Sequence, residues 1–295
     1  MRNNIVLVAA VFALIAVLSW SGNFVIGRAI RAEISPASLS FWRWAIASII
    51  LLPVALRTTR AEWAAIRGGW KVLFALGLFG AALFQTMTYI GLTMTPATNA
   101  LLLTAVNPMA VILLAWVVLG ERAGLRQWIG IAVSFVGVLV LVTQGNIEIL
   151  KTLSFNQGDL WIFGAVIIWG CYSVSLKLKP EGVRPMMVVF CTAITGAVMI
   201  FPFYLWDVAS GDIFAINLKT VSGILYTGIF ASVIAFASFN AAVARIGPSK
   251  ASYFLHLMPV FGAILAYIIL GERLEAYHFV GFPIALAGVL VATTG

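Results

Sequence analysis

Residues 108–122 read PMAVILLAWVVLGER, and residues 259–273 read PVFGAILAYIILGER. Both are apolar stretches that open on proline and close on Gly-Glu-Arg. The offset of 151 residues places Gly120, Glu121 and Arg122 on Gly271, Glu272 and Arg273, and it continues without a gap through Gly130/Gly281, Gly137/Gly288 and Thr143/Thr294. From Ala100 to Thr143, 14 of 44 positions are identical at that offset, a high share for segments drawn from so few residue types. The earlier parts match at 149: Trp20 falls on Trp169, Pro36 on Pro185, Phe41 on Phe190 and Pro53 on Pro202. The chain therefore reads as a duplication, with residues 1–146 as one repeat and 147–295 as the other. The two-residue difference in offset is absorbed before the fourth span of each half.

Of the 295 residues 62% are hydrophobic and only 9% charged, whereas a soluble domain carries about a quarter of its residues charged. Apolar runs long enough to cross a bilayer recur along the whole length, so the chain is polytopic in a membrane. Ten spans are expected, at about 5–27, 37–56, 70–93, 97–119, 126–144, 157–178, 184–206, 219–243, 248–270 and 276–294. The first is read as a retained helix, since its apolar run is too long for the core of a cleaved signal peptide. Five spans per repeat is an odd number, so the second repeat enters the membrane from the opposite side. That is an inverted repeat, an arrangement common in secondary transporters.

The net charge of +8 comes from Lys and Arg between the apolar runs, where it orients the chain rather than marking a nucleic-acid partner. With the N-terminus inside, the cytoplasmic segments hold 12 basic residues and the outer ones 5, leaving Arg43 within a span. Both termini are thus expected in the cytoplasm. Cys171 and Cys191 lie in apolar runs without metal-ligand spacing and read as packing residues.

All ten acidic residues fall in loops or at the ends of the expected helices. A membrane enzyme needs carboxylate, His or Cys side chains gathered into one site, and with two histidines none can be assembled. The same lack removes a carboxylate proton relay and a counter-ion for cationic compounds. No cofactor or metal is expected.

The spans do carry aromatic and amide side chains at helical spacing. Trp20, Asn23 and Phe24 share one face of span one, and Trp169 and Tyr172 repeat that geometry in span six. Gln85 and Tyr89 share a face of span three, and Phe236 and Asn240 are their counterparts in span eight. Asn107 precedes Pro108; Tyr253 and His256 precede Pro259. A buried amide costs several kcal/mol unless it finds a partner, so these faces point inward, towards one another or a wet cavity. Read singly, each is also consistent with a helix–helix hydrogen bond or an interfacial anchor. Arg43, in Phe41-Trp42-Arg43-Trp44, either snorkels to the outer interface between the tryptophans, attracts a substrate carboxylate, or bridges an outer gate with Trp42. His256 is the intramembrane group able to titrate near neutrality, although a lone His more often just bonds a neighbouring helix. Pro108 and Pro259 each remove a backbone bond inside an expected long helix and mark matched hinges, with a static bend as the alternative. The glycines of spans five and ten form a small-residue stripe for close packing, within the chain or at a dimer contact.

The Trp20-Ser21-Gly22-Asn23-Phe24 stretch, Arg43, and the paired Pro…Gly-Glu-Arg blocks resemble the drug/metabolite transporter superfamily in its ten-helix EamA-type form. The likeness covers essentially the whole chain. It implies an all-α membrane fold, with a basket of helices one, three, four, six, eight and nine around a central cavity and helices five and ten peripheral. Relatives with four helices use a membrane-embedded Glu in the first helix, which this sequence does not offer. Overall likeness is greatest to bacterial exporters of aromatic and other amino acids. The expectation is an inner-membrane secondary transporter with a small-molecule substrate, a monomer or weak homodimer, and not an enzyme. Trp20, Trp169, Tyr89 and Tyr172 supply an aromatic wall, and Asn23, Gln85, Asn107 and Asn240 the polar contacts. Export of another neutral metabolite, such as a nucleobase or nucleoside, and a channel are the alternatives.

Overall fold

The computed structural model describes residues 2–30, 32–95, 100, 103–151, 155–271 and 273–293. The chain is all-helical among these residues. In order come α1 (Arg2–Ile30), α2 (Pro36–Gly68), α3 (residues 70–94), α4 (Asn107–Leu119), α5 (Leu125–Val142), α6 (Gln157–Ser175), α7 (Pro185–Ala209), α8 (residues 218–246), α9 (residues 248–270) and α10 (Ala276–Thr293). Eight helical runs of the described residues are long and apolar enough to cross a bilayer; Asn107–Leu119 is a shorter apolar helix. One of the eight, Leu218–Ile269, spans 52 residues. It is broken at Gly247, where φ of 83° and ψ of 162° interrupt the helix and leave α8 and α9 as separate rods.

Two expectations need correction. The second helix does not stop at Arg57 but continues to Gly68. Its apolar run ends there, yet nothing breaks a helix until Gly68-Gly69, so a charged extension carries Arg57, Arg60 and Glu62 out of the apolar zone. Pro108 is also not inside a long helix but in the first turn of α4, and Pro259, though within α9, sits in the first turn of its α-helical part, Met258–Leu270. At that position the missing N–H costs nothing and the fixed φ helps. The chain ahead of each is a tighter turn, 3₁₀ over Phe254–Leu257 in the second repeat. The matched breaks are therefore changes of helical segment. Both helices then end on a glycine in the left-handed region, Gly120 at φ 71° and Gly271 at φ 68°. Residues with a Cβ rarely take that conformation, which explains why both copies of the motif close on glycine.

Packing exchanges parts between the repeats. Helix α1 lies on α8 and α9, whereas α6 lies on α3 and α4. The α2–α7 and α5–α10 pairs complete the set. Swapping the two repeats maps this list onto itself, so the halves are related by an approximate two-fold rotation. Three contacts join positions one repeat offset apart: Ser134 Oγ donates to the Ala285 carbonyl at 3.1 Å, His256 Nε2 bonds the Ala105 carbonyl at 2.9 Å, and the Trp20 and Trp169 rings stand 5.1 Å apart. A residue that touches its own counterpart lies on the symmetry axis. The axis thus runs through the α5–α10 seam, the His256–Ala105 contact and the Trp20–Trp169 ring contact.

The glycine stripe closes α5 onto α10 within the chain. A Cβ on Gly137 would fall on the Ala285 backbone, and one on its counterpart Gly288 would fall on Ser134. Gly137→Val and Gly288→Val are expected to destabilise by about 1–3 kcal/mol through overpacking, lowering the melting temperature in detergent. Gly27→Ala, where nothing lies within 4 Å of the added carbon, is the control. Equal melting of all three variants would contradict the assigned seam.

Candidate functional site

The site begins with a feature that hydropathy does not signal. Helix α3 is π-helical over Leu78–Leu83 and α8 over Thr227–Ile234, at matching places in the repeats. In the second, the Ala235 N–H bonds the Phe230 carbonyl, five residues back. Where a helix returns from π to α register, one carbonyl loses its usual backbone donor, and such segments gather at functional sites. The Ala231 carbonyl instead accepts from Trp20 Nε1 at 3.0 Å and from Arg43 Nη2 at 3.2 Å.

Arg43 is 2% exposed and does not snorkel to an interface. Its Nε donates to Ser232 Oγ at 2.9 Å and its Nη1 to Gln85 Oε1 at 3.2 Å, with the guanidinium 5.1 Å from the Trp44 ring centre. Ser232 Oγ in turn donates to the Thr227 carbonyl at 3.0 Å. The planar fork of arginine reaches these separate oxygens at once. Gln85 is thereby committed to Arg43. Trp42 lies apart, half-buried beside Phe41 and Tyr204 and packed on the Ile30, Ile34 and Leu39 cluster.

On the axis the rings of Trp20, Trp169, Tyr172 and Phe236 pack together. Trp20 and Phe236 stand 5.6 Å apart, Trp169 and Tyr172 5.3 Å, and Tyr172 and Phe236 5.5 Å, mostly edge to face. Phe84, Phe239 and Trp44, which sequence reasoning did not select, complete the cluster. An apolar aromatic in an apolar span carries no sign of which face it occupies; Ser232, a hydroxyl in such a span, was a legible signal. Tyr172 is fully buried, its ring lying over Gly80 of the first π segment, and its hydroxyl donates to Asn240 Oδ1 at 2.7 Å. The rings fill the space expected to be open, so the state described is closed at its centre.

The other expected residues scatter. Phe24 is 48% exposed and Asn23 half-buried. Tyr253 packs with Ile112, Ile131 and Ala292 rather than with the aromatic cluster. Asn107 is buried at the first turn of α4, and His256 is buried against Ala105. The Tyr89 side chain lies outside the described residues. Several buried polar atoms have no hydrogen-bond partner among the described residues: Trp169 Nε1, Asn240 Nδ2, Asn107 Oδ1, His256 Nδ1 and the Tyr253 hydroxyl. Among these residues no group of three or more His, Cys, Asp or Glu side chains is placed to hold a metal.

Polar contacts clasp the two ends of the bundle. At one end Lys219 Nζ meets Glu33 Oε1 at 2.6 Å, Asn217 Nδ2 donates to Glu33 Oε2 at 3.0 Å, and Ser35 bonds Asp207. Lys219 and Asn217 hold the Glu33 carboxyl below its ordinary range. This clasp is complete above that range and is lost only as the pH falls through the lowered value. At the other end Arg184 Nε meets Glu62 Oε1 at 3.2 Å, and the Arg184 N–H donates to Glu62 Oε2 at 3.1 Å. Ser35 and Arg184 are repeat counterparts, so the Ser35–Asp207 and Arg184–Glu62 contacts occupy equivalent places, each joining the start of one of α2 and α7 to the end of the other.

The EamA-like transporter family model matches twice, over residues 7–143 and 156–294. An uncharacterized transporter, YyaM of Bacillus subtilis (strain 168), is 29% identical over 88% of this chain and 85% of its own length. A probable terminal-alkyne amino-acid exporter of Streptantibioticus cattleyicolor is 28% identical over 96% of this chain and 92% of its own. A solved crystal structure aligns with 97% of both chains at a TM-score of 0.78 and 20% identity, a likeness of fold.

Arg43→Leu leaves Gln85 Oε1 without its donor and takes one donor each from Ser232 Oγ, which keeps its bond to Thr227, and from the Ala231 carbonyl, which keeps Trp20. Each unsatisfied buried group costs about 1–3 kcal/mol, so a marked drop in melting temperature is expected. Arg43→Lys is expected to rescue little of it, since one ammonium cannot span those oxygens. Unchanged melting of both variants in detergent would refute this assignment.

Proposed function

We propose, on the premise that the chain belongs to the EamA-like transporter family, that it is a secondary transporter exporting amino acids, aromatic and other neutral ones, by alternating access. Splitting the 52-residue run at Gly247 and adding the short helix α4 favours ten crossings, with the repeats dividing between residues 146 and 147. The basic residues favour cytoplasmic termini in a bacterial inner membrane.

The observation that carries the substrate reading is the aromatic cluster on the repeat axis, flanked by buried polar atoms without partners. Aromatic walls hold an apolar side chain, and unpaired amide and indole groups hold polar ends without a buried formal charge. The relative named as a probable amino-acid exporter supports the same substrate class. The substrate's own gradient suffices as driving force.

Counterflow tests the reading. Proteoliposomes loaded with unlabelled phenylalanine, at equal pH on both sides, are expected to accumulate labelled phenylalanine transiently. In Trp169→Ala that accumulation falls at least about tenfold, a loss of roughly 1.4 kcal/mol, because the variant deletes the ring at the axis. No accumulation by folded wild-type protein would remove phenylalanine as substrate; uptake without counterflow would indicate a channel.

A further inference from the structure

The repeats are symmetric in backbone but not in hydrogen bonding. Trp20 Nε1 is satisfied by the Ala231 carbonyl, whereas the indole N–H of its counterpart Trp169 is buried without a partner among the described residues. Arg43, which shares that carbonyl, has Thr192 as its counterpart, and Thr192 bonds only back to Val188 within its own helix among the contacts described. The unpartnered donor beside Trp169 is Asn240 Nδ2: Asn240 already accepts from the Tyr172 hydroxyl, and Tyr172 lies against Trp169. Of the other unpartnered indoles, Trp42 lies apart beside Phe41 and Tyr204, whereas Trp44 reaches the cluster edge to face with Phe236 and lies under the Arg43 guanidinium.

The unpartnered acceptors lie on a different pair of helices. Asn107 Oδ1, in the first turn of α4, is one. His256 supplies the other through its tautomer. The Ala105 carbonyl can only accept, so His256 Nε2 must donate to it at 2.9 Å. A neutral imidazole that donates from Nε2 carries a lone pair on Nδ1, and that atom is unpartnered. All four side chains are more than nine-tenths buried. Val111, one turn along α4 from Asn107, and Leu255 and Leu257, which flank His256, belong to the same buried cluster as Trp169. Each of the four groups forgoes a hydrogen bond in the state described, and a ligand admitted between the two pairs restores it.

We infer that these groups divide the two ends of a zwitterion: the Trp169 and Asn240 donors take the carboxylate, and the Asn107 and His256 acceptors take the ammonium. This rests on the amino-acid reading above and adds to it a requirement for both charged ends. It also separates roles within the site, since Gln85 is occupied by Arg43 and serves the scaffold.

The test is inhibition of phenylalanine counterflow by three probes: unlabelled phenylalanine, phenethylamine, which lacks the carboxylate, and 3-phenylpropanoate, which lacks the ammonium. In wild-type protein both truncated probes inhibit at least about tenfold more weakly than phenylalanine, the size of one hydrogen bond to a charged group. Trp169→Phe keeps a ring but removes the N–H; it weakens phenylalanine and 3-phenylpropanoate about tenfold and leaves phenethylamine within twofold, roughly the scatter of such contributions. Asn107→Leu gives the converse pattern. Equal losses for all three probes in a folded variant overturn the assignment, as does wild-type protein inhibited equally well by a truncated probe. The wild-type comparison needs no variant, so misfolding cannot hide the outcome. If wild-type protein neither exchanges phenylalanine nor is inhibited by it, the amino-acid reading itself falls and takes the assignment with it.

Discussion

Neither repeat can bury its own first helix: α1 packs on α8 and α9 of the second repeat, and α6 on α3 and α4 of the first. In lipid there is little hydrophobic drive between helices, so close packing and hydrogen bonding must hold them. The exchange of first helices supplies both. It brings Trp20 to the π segment of α8 and Tyr172 to Gly80 in the π segment of α3. The α5–α10 glycine seam ties the same axis together at its far end.

Onto this symmetric frame the sequence places unlike side chains. Arg43 fixes the second-repeat π segment through Ala231 and Ser232, and nothing of its kind exists at Thr192. One side of the axis is therefore closed by hydrogen bonds, while the other keeps an indole N–H without a partner among the described residues. A site for an asymmetric molecule needs such unlike sides. The backbone contacts are symmetric, and the hydrogen bonding around the axis is not.

Much of this was legible in the residues. The offsets of 149 and 151 revealed the duplication, and the Pro…Gly-Glu-Arg blocks located α-helical segments with proline in the first turn and a left-handed glycine at the end. The pairing of Trp20 with Trp169 followed from the offset, and the structure brings those rings into contact. What stayed hidden has physical reasons. A π turn changes hydrogen-bond register without changing composition, so the Ala231 carbonyl could not be anticipated, and neither could the burial of Arg43 beneath it. Hydropathy ends at Arg57 while the helix continues, because charge ends a membrane span but does not end a helix. Phe24 and Tyr253 share helical faces with site residues in sequence, but the crossing of helices from the other repeat decides which side of a face is covered.

The proposal of a carrier requires the two ends of the bundle to open in turn, and polar contacts hold both ends in the state described. The direct check is to lock each end separately. In protein lacking Cys171 and Cys191, one pair of introduced cysteines replaces Glu33 and Asn217, and another replaces Glu62 and Arg184. Cross-linking either pair through disulfides with a short bifunctional methanethiosulfonate is predicted to stop counterflow, and reduction of those disulfides to restore it. Exchange that continues with one end locked would contradict alternating access through this axis.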